Sequence, residues 1–167
     1  MGKLRRAYTS RTTTVYALAL SDNNDKHTFH IDERPGQGAL ASSIEKLDIY
    51  ENKMTTPVEV QCMTLDTFCE KTGLIPNFIK LDVEGHELSV INGGWQVIQK
   101  HQPIIVFEFW ESWWERSVKQ IFEMLQPLYR LSRLQDGQNV EEYYYSNKGE
   151  GTVDIVCIPR SIQAVEV

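Results

Sequence analysis

Five ionisable side chains crowd one short stretch of the chain, Asn77-Phe-Ile-Lys-Leu-Asp-Val-Glu-Gly-His-Glu87: Lys80, Asp82, Glu84, His86 and Glu87. An apolar run carries the lysine, reaches two carboxylates and a glycine, and gives way to a helix-like pattern. That is the pattern of a buried parallel strand whose carboxyl end opens into a polar turn, the edge of an α/β sheet where ligands sit. With a side-chain period of two, Lys80, Asp82 and Glu84 share one side of the strand and Ile79, Leu81 and Val83 the other. A lysine in a buried strand needs a carboxylate partner, and Asp82, Glu84, Glu87 and Glu108 are the candidates. Glu108 follows Ile104-Ile-Val-Phe as Asp82 follows its own apolar run, so two neighbouring strands would bring acids to one rim. Such a rim suits a cationic cofactor, a hydroxyl substrate or a metal; it could equally be an ion-paired cluster that fixes the strand ends.

Other chemical signals are weaker. Gly36-Gln-Gly38-Ala-Leu-Ala41 fits the letter of a dinucleotide fingerprint. That motif needs a buried strand, a tight turn and a helix opening; here the preceding segment alternates and Arg34 and Pro35 intervene, which argues against a nicotinamide or flavin site. His27 and His30 lie three apart on an expected strand, hence on opposite faces, a poor metal pair. His86 reads as a first-turn residue of a helix and His101 as a helix-end residue, while Ser42 and Ser43 read as loop hydroxyls. Trp110, Trp113 and Trp114 could line a mouth beyond Glu108, although helix packing explains them as well. Cys69 and Cys157 sit in apolar patterns as core thiols, and with Cys62 their spacing suggests neither zinc site nor disulfide framework. No metal site is expected.

The 167 residues suffice for one domain with a proper core. At 41% hydrophobic, 24% charged and a net charge of -6, with Lys3, Arg5, Arg6 and Arg11 as the one basic cluster, the chain is not built to track phosphates, and nucleic acid is not an expected partner. No 18-residue apolar stretch spans a membrane. The N-terminus lacks a signal-peptide core, so a cytoplasmic location is expected.

The elements that must position the rim follow in order. Residues 4–12 read as a short basic helix or the tail of a longer one, and Val15-Tyr-Ala-Leu-Ala-Leu20 as a buried strand closed by the turn cluster Ser21–Asp25. Residues 26–31 alternate, as a half-exposed strand forming a hairpin with 15–20 would; residues 58–63 alternate again. Thr64 is a natural cap for a helix over 65–72 and Gly73 its stop. After the strand at 77–82, a helix over 86–98 is interrupted at Gly93-Gly94, a buried strand occupies 104–109, and an amphipathic helix runs from Trp114 to Leu125. Strands at 129–134 and 154–158, with a turn at Asp136-Gly137 and a polar loop at 146–152, finish the chain. Alternation of this kind implies an α/β fold with a parallel sheet.

Val60-x-Cys-x-Thr64-Leu-Asp-Thr-Phe, Phe78-Ile-Lys-Leu-Asp-Val-Glu-Gly-His-Glu87, Val90-Ile-Asn-Gly-Gly94 and Pro103-Ile-Ile-x-Phe-Glu108 closely resemble the FkbM-type methyltransferases. Ala17-Leu-Ala-Leu-Ser-Asp22 and Gly38-Ala-x-Ala-Ser-Ser43 resemble that family's third strand and the segment after it, so the resemblance covers residues 15–159. It implies a class I Rossmann-like three-layer fold, mostly parallel, and S-adenosylmethionine as cofactor. His86 stands where the family commonly has a small residue.

The resemblance divides the chain, 1–167, as a single partial domain: the third strand and an inserted β-hairpin over 15–63, then strands 4–7 with their helices over 64–159. No strand with a Gly-rich cofactor loop precedes Val15, so the first two strands are expected to be absent, about 50 residues given ~30 or more for a βαβ unit. In the family's strand order, 3-2-1-4-5-7-6, that leaves two apolar edges without partners, and self-association through exposed strand edges is an expected hazard. The resemblance further implies that Asp82 is nearest the cofactor or acceptor, with Glu84 and Glu108 as supports or bases and Lys80 as their charge partner. Ala19, Leu20, Ser21 and Asp22 fall on the adenine side. The implied activity is O-methylation of a sugar, lipid or secondary-metabolite hydroxyl, the acceptor being a small molecule, glycan or lipid. The alternative is an inactive, truncated remnant serving as a structural or interaction module.

Overall fold

A computed structural model describes residues 6–9, 12–33, 42–45, 55–110, 117–147 and 152–162. Its strands are β1 (Arg6–Thr9), β2 (Thr14–Tyr16), β3 (Ala19–Leu20), β4 (Lys26–Asp32), β5 (Thr55–Met63), β6 (Phe78–Leu81), β7 (Ile104–Trp110), β8 (Tyr129–Arg133) and β9 (Thr152–Pro159). Its helices are α1 (Leu65–Thr72), α2 (Glu87–Gly93), α3 (Trp95–His101), α4 (Lys119–Leu125) and α5 (Val140–Asn147).

The main sheet has the order β6-β7-β9-β8. β6 and β7 are parallel, and β9 runs antiparallel between β7 and β8, so β6, β7 and β8 share a direction. This reproduces the 4-5-7-6 half of the expected strand order. The other half differs: β3 pairs parallel with β5, which pairs antiparallel with β4, in a separate three-stranded sheet. The fold is thus mixed α/β, with parallel and antiparallel pairs. The expected hairpin between 15–20 and 26–31 does not form, because the nine-residue β5 inserts between β3 and β4. β4 and β5 pair antiparallel over Lys26–Asp32 and Thr55–Gln61.

Helices gather on one face of the main sheet. Leu81, Ile105, Phe107, Val153, Ile155 and Cys157 pack there with Val90, Ile91, Ile98, Ile121 and Leu125. Removing so much apolar surface from water is the main stabilising contribution. The opposite face carries Lys80, Glu108, Asp154, Val156 and Ile158 and is only partly covered, so the described residues form two layers of the expected three.

Local signals set the element ends around the site. The Thr64 hydroxyl accepts from the Thr67 amide at 3.0 Å, and Gly73 takes the left-handed conformation (φ 71°) with its N–H donating to the Cys69 carbonyl. Such an N-cap contributes about 1 kcal/mol. The interruption at Gly93-Gly94 separates α2 from α3, and its cause is packing. A Cβ on Gly93 would stand 2.0 Å from the Ser21 carbonyl oxygen, and one on Gly94 would stand 2.7 Å from a Leu65 methyl. Asp66 supplies the missing cap of α3, accepting from the amides of Gln96 (3.2 Å) and Val97 (2.9 Å).

Several expectations fail for identifiable reasons. Residues 6–9 pair with β2 as a strand and form no basic helix. The 15–20 run is split into β2 and β3, with Val15 45% exposed; Tyr16 turns instead to an edge-on contact with Phe68 at 4.9 Å between ring centres. β6 lies at the sheet edge, and Phe78 is 57% exposed, so this is not a buried strand. α5 occupies the stretch between the turn at Gly137 and the last strand, started by Asn139, whose side chain accepts from the Glu142 amide at 3.1 Å. The Gly36–Ala41 motif, Trp113, Trp114 and the start of the helix expected from Trp114 lie outside the described residues.

Candidate active site

Asp82 and Glu84 follow the carboxyl end of β6, near enough to Glu108 on the parallel strand β7 for its charge to act on Glu84. β6 ends at Leu81, leaving Asp82 exposed. The chain then turns through Val83, Glu84 and Gly85, with Glu84 at φ 50° and Gly85 at φ 93°. A left-handed conformation costs a non-glycine residue roughly 1 kcal/mol or more, and it takes Glu84 out of the strand's alternation. Burial pushes the Glu84 carboxyl up to about 7, with further contributions from Asp82, Glu108 and Glu87. Glu87, 3% exposed, is also raised by burial. It begins α2 and accepts from the Gly85 amide at 3.4 Å, a favourable place for negative charge at a helix start.

Lys80 does not hold this cluster together. Its Nζ donates to Asp154 on β9 at 3.2 Å, reaching across β7, and both side chains are partly exposed (42% and 36%). Glu108 is the register partner of Asp154, so Lys80, Asp154 and Glu108 share the less covered face, but the lysine's charge is spent on Asp154. Burial first, and the uncompensated charges of Asp82, Glu108 and Glu87 second, move Glu84 up and not down.

The turn is also the anchor for two distant segments. Ser43 forms a backbone bridge with His30, and its hydroxyl donates to the Glu84 carbonyl at 2.8 Å. His86, 5% exposed, places Nδ1 2.7 Å from Glu45 and Nε2 3.0 Å from the Ser21 hydroxyl. The hydrogen bond to His86 pulls the Glu45 carboxyl below its ordinary value, against the opposing effect of burial. Ser21, fully buried, thereby comes to the acidic turn; Ala19 and Leu20 behind it are half-buried and Asp22 is exposed. Sequence reasoning placed His86 in a first helical turn and Ser43 in a loop, and nothing local signalled that either joins the turn to residues more than 40 positions away.

No group of three or more metal-ligating side chains occurs among the described residues. His27 and His30 stay apart, His27 against Asn23 at 2.9 Å and His30 bridged to Ser43. Among the described residues no helix is long and apolar enough to cross a membrane. An open groove of ≈ 740 Å³ lies between α1 and α3, lined by Asp22, Thr67, Glu70, Gly93, Val97 and Lys100. It contains none of the turn's carboxylates, and the chemistry points to the turn.

A parallel strand ending in an acidic turn, beside a second parallel strand that carries Glu108, belongs to a mixed α/β domain whose main sheet has the order β6-β7-β9-β8. The family profile of the methyltransferase FkbM domain matches residues 3–140, and the chain belongs to that family. No curated protein sequence and no solved structure matches it significantly.

Proposed function

We propose that the chain is built for methyl transfer from S-adenosylmethionine to the oxygen of a sugar, lipid or secondary-metabolite hydroxyl, with Glu84 as the proton acceptor. The four-stranded sheet is then the second half of a class I Rossmann-like fold. The observation that carries the reading is the turn after β6, where Glu84, held at φ 50°, has its carboxyl pushed up to about 7 by burial and, secondarily, by the charges of Asp82 and Glu108. A general base is most useful with its affinity for protons near the working pH, where it contributes typically 10²–10⁴-fold. An ion-paired cluster built only to fix strand ends would instead hold its carboxyls low.

The donor set suits a sulfonium cofactor: carboxylates with no ion pair among the described residues favour a positive charge. When bound, S-adenosylmethionine supplies the electrophilic methyl group. Asp82, exposed beyond the end of β6, faces cofactor or acceptor, and Glu108 supports it from β7. Asp22, with Ala19 and Leu20, forms the adenine side, and buried Ser21 supports it from behind. With the cofactor bound, Glu84 would take the hydroxyl proton while the methyl passed from sulfur to the acceptor oxygen and S-adenosylhomocysteine left as the neutral thioether. The turn's main contribution is alignment, which can replace much of the entropic cost of a two-body reaction.

Calorimetric titration of the full chain with S-adenosylhomocysteine tests the binding half. No heat at millimolar ligand would show that this polypeptide does not act alone, which favours a non-catalytic interaction module. Given binding, Asp82→Asn should abolish methyl transfer while shifting the melting temperature by only a few degrees, since Asp82 is exposed. A large stability loss with activity retained would reverse the assignment.

A further inference from the structure

We infer that His86 is a positioning residue, a tether that sets the distance between the Ser21 end of β3 and the acidic turn while holding the Ser43–Glu45 segment over it. Its functional half rests on the methyltransferase reading; the tether itself stands on geometry.

Three pieces of chain meet at this one ring. Ser21 comes from the end of β3, Glu45 from the segment beyond β4, and His86 from the turn between β6 and α2. The imidazole is 5% exposed and Ser21 0% exposed, so the bond between them does not compete freely with water, while the Glu45 carboxylate at the other end is 45% exposed. Breaking one bond of such a set leaves a buried polar group unsatisfied, which costs more than the net value of a hydrogen bond. A neutral imidazole offers one donor and one acceptor. With its hydrogen on Nδ1 it donates to Glu45 at 2.7 Å and accepts the Ser21 hydroxyl at 3.0 Å. Asp22 is a weaker competitor for that hydroxyl, at 3.3 Å.

The order hydroxyl, imidazole, carboxylate is that of a nucleophilic triad. Here the serine oxygen is buried and no substrate reaches it, so the arrangement serves to hold and not to attack. Neighbouring contacts have the same effect. The Ser43 hydroxyl donates to the Glu84 carbonyl at 2.8 Å and accepts from the Glu45 amide at 3.0 Å. The Ser21 carbonyl is seated against Gly93 at a separation that admits no Cβ. A small residue at position 86 could not span from Ser21 to Glu45; histidine can.

Asparagine and glutamine separate the two ends of the tether, since the asparagine amide reaches about as far as Nδ1 and the glutamine amide about as far as Nε2. Amide hydrogen exchange of the full chain is read at residues 21–22 and 43–45, relative to core amides of β7 and β9. His86→Ala should raise exchange about tenfold at both sets, the equivalent of about 1.4 kcal/mol. His86→Asn should release 21–22 while sparing 43–45, and His86→Gln the reverse. Unchanged exchange, or a uniform rise with no excess at these amides, overturns the tether.

For the functional half, His86→Asn should weaken S-adenosylhomocysteine binding about tenfold, and His86→Gln should restore it to within about threefold. Equal affinities in both variants would overturn the positioning role. Absence of binding by the unsubstituted chain, with the exchange pattern intact, would remove the methyltransferase reading of this polypeptide and leave the tether standing.

Discussion

The carbonyl oxygen of Ser21 occupies the space where a side chain on Gly93 would begin, 2.0 Å from an ideal Cβ. Backbone and not side chain fills the gap, so no rotamer change can relieve a substitution. Gly93→Ala should therefore destabilise the fold by more than about 2 kcal/mol despite alanine's better helix propensity. Gly94→Ala meets a Leu65 methyl at 2.7 Å, the end of a movable side chain, and should cost about 1 kcal/mol. Urea denaturation of the two variants measures the difference, and equal losses would contradict the packing account.

Lys80 and Asp154 form a partly exposed ion pair across β7. Exposed pairs contribute little because water and salt screen them and two long side chains lose freedom. A double-mutant cycle of Lys80→Met and Asp154→Asn should give a coupling below about 1 kcal/mol, shrinking with added salt. Coupling of several kcal/mol would mean that the pair behaves as buried.

Neither of these long-range relationships was legible in the sequence, whereas several local ones were. Helix α1 was readable to the residue, since Thr64 and Gly73 act within one turn of its ends. The main-sheet strands were readable as apolar runs, and the 4-5-7-6 order followed from the resemblance. Burial was not: an edge strand and a central one can share the same apolar letters, and only the topology exposes Phe78. The partner of Lys80 lies 74 residues away on a strand two places across the sheet, beyond any spacing rule. Of the site, the carboxylates at 82, 84 and 108 were visible by type and position. Left-handed Glu84 and the Ser21–His86–Glu45 chain were not, because each depends on contacts made only after the segments dock. α5 was missed because aromatic Tyr143 and its neighbours give no clean amphipathic period.

β6 is the last strand of its sheet, and Leu74, Ile75 and Phe78 beside it are all more than half exposed. A flat apolar edge with no strand paired to it among the described residues is a template for aggregation. Phe78→Lys should raise the concentration at which the chain stays monodisperse in sedimentation velocity, with little change in melting temperature because the side chain contributes little to the core. A variant that still aggregates at the same concentration would place the contact elsewhere.

Glu84 links stability and activity to pH through one carboxyl. Its folded-state value is about 7 against an ordinary value of 4.5, so between these limits the folded chain binds more protons than the unfolded one. Stability contributed by this group is then complete below about pH 4.5, falls as pH rises through the window, and is lost above about 7. Glu84→Gln keeps the shape without the charge. It should flatten this part of the stability profile and leave the variant about 1–3 kcal/mol more stable than the parent at pH 8. If Glu84 is the proton acceptor, methyl transfer by the parent should rise along a single ionisation near pH 7, and in the Gln variant that ionisation should vanish with a loss of about 10²-fold or more. Chemical denaturation and pH–rate profiles on the same two proteins check both. A stabilised variant with undiminished activity would leave Glu84 as a strained acid that the reaction does not use.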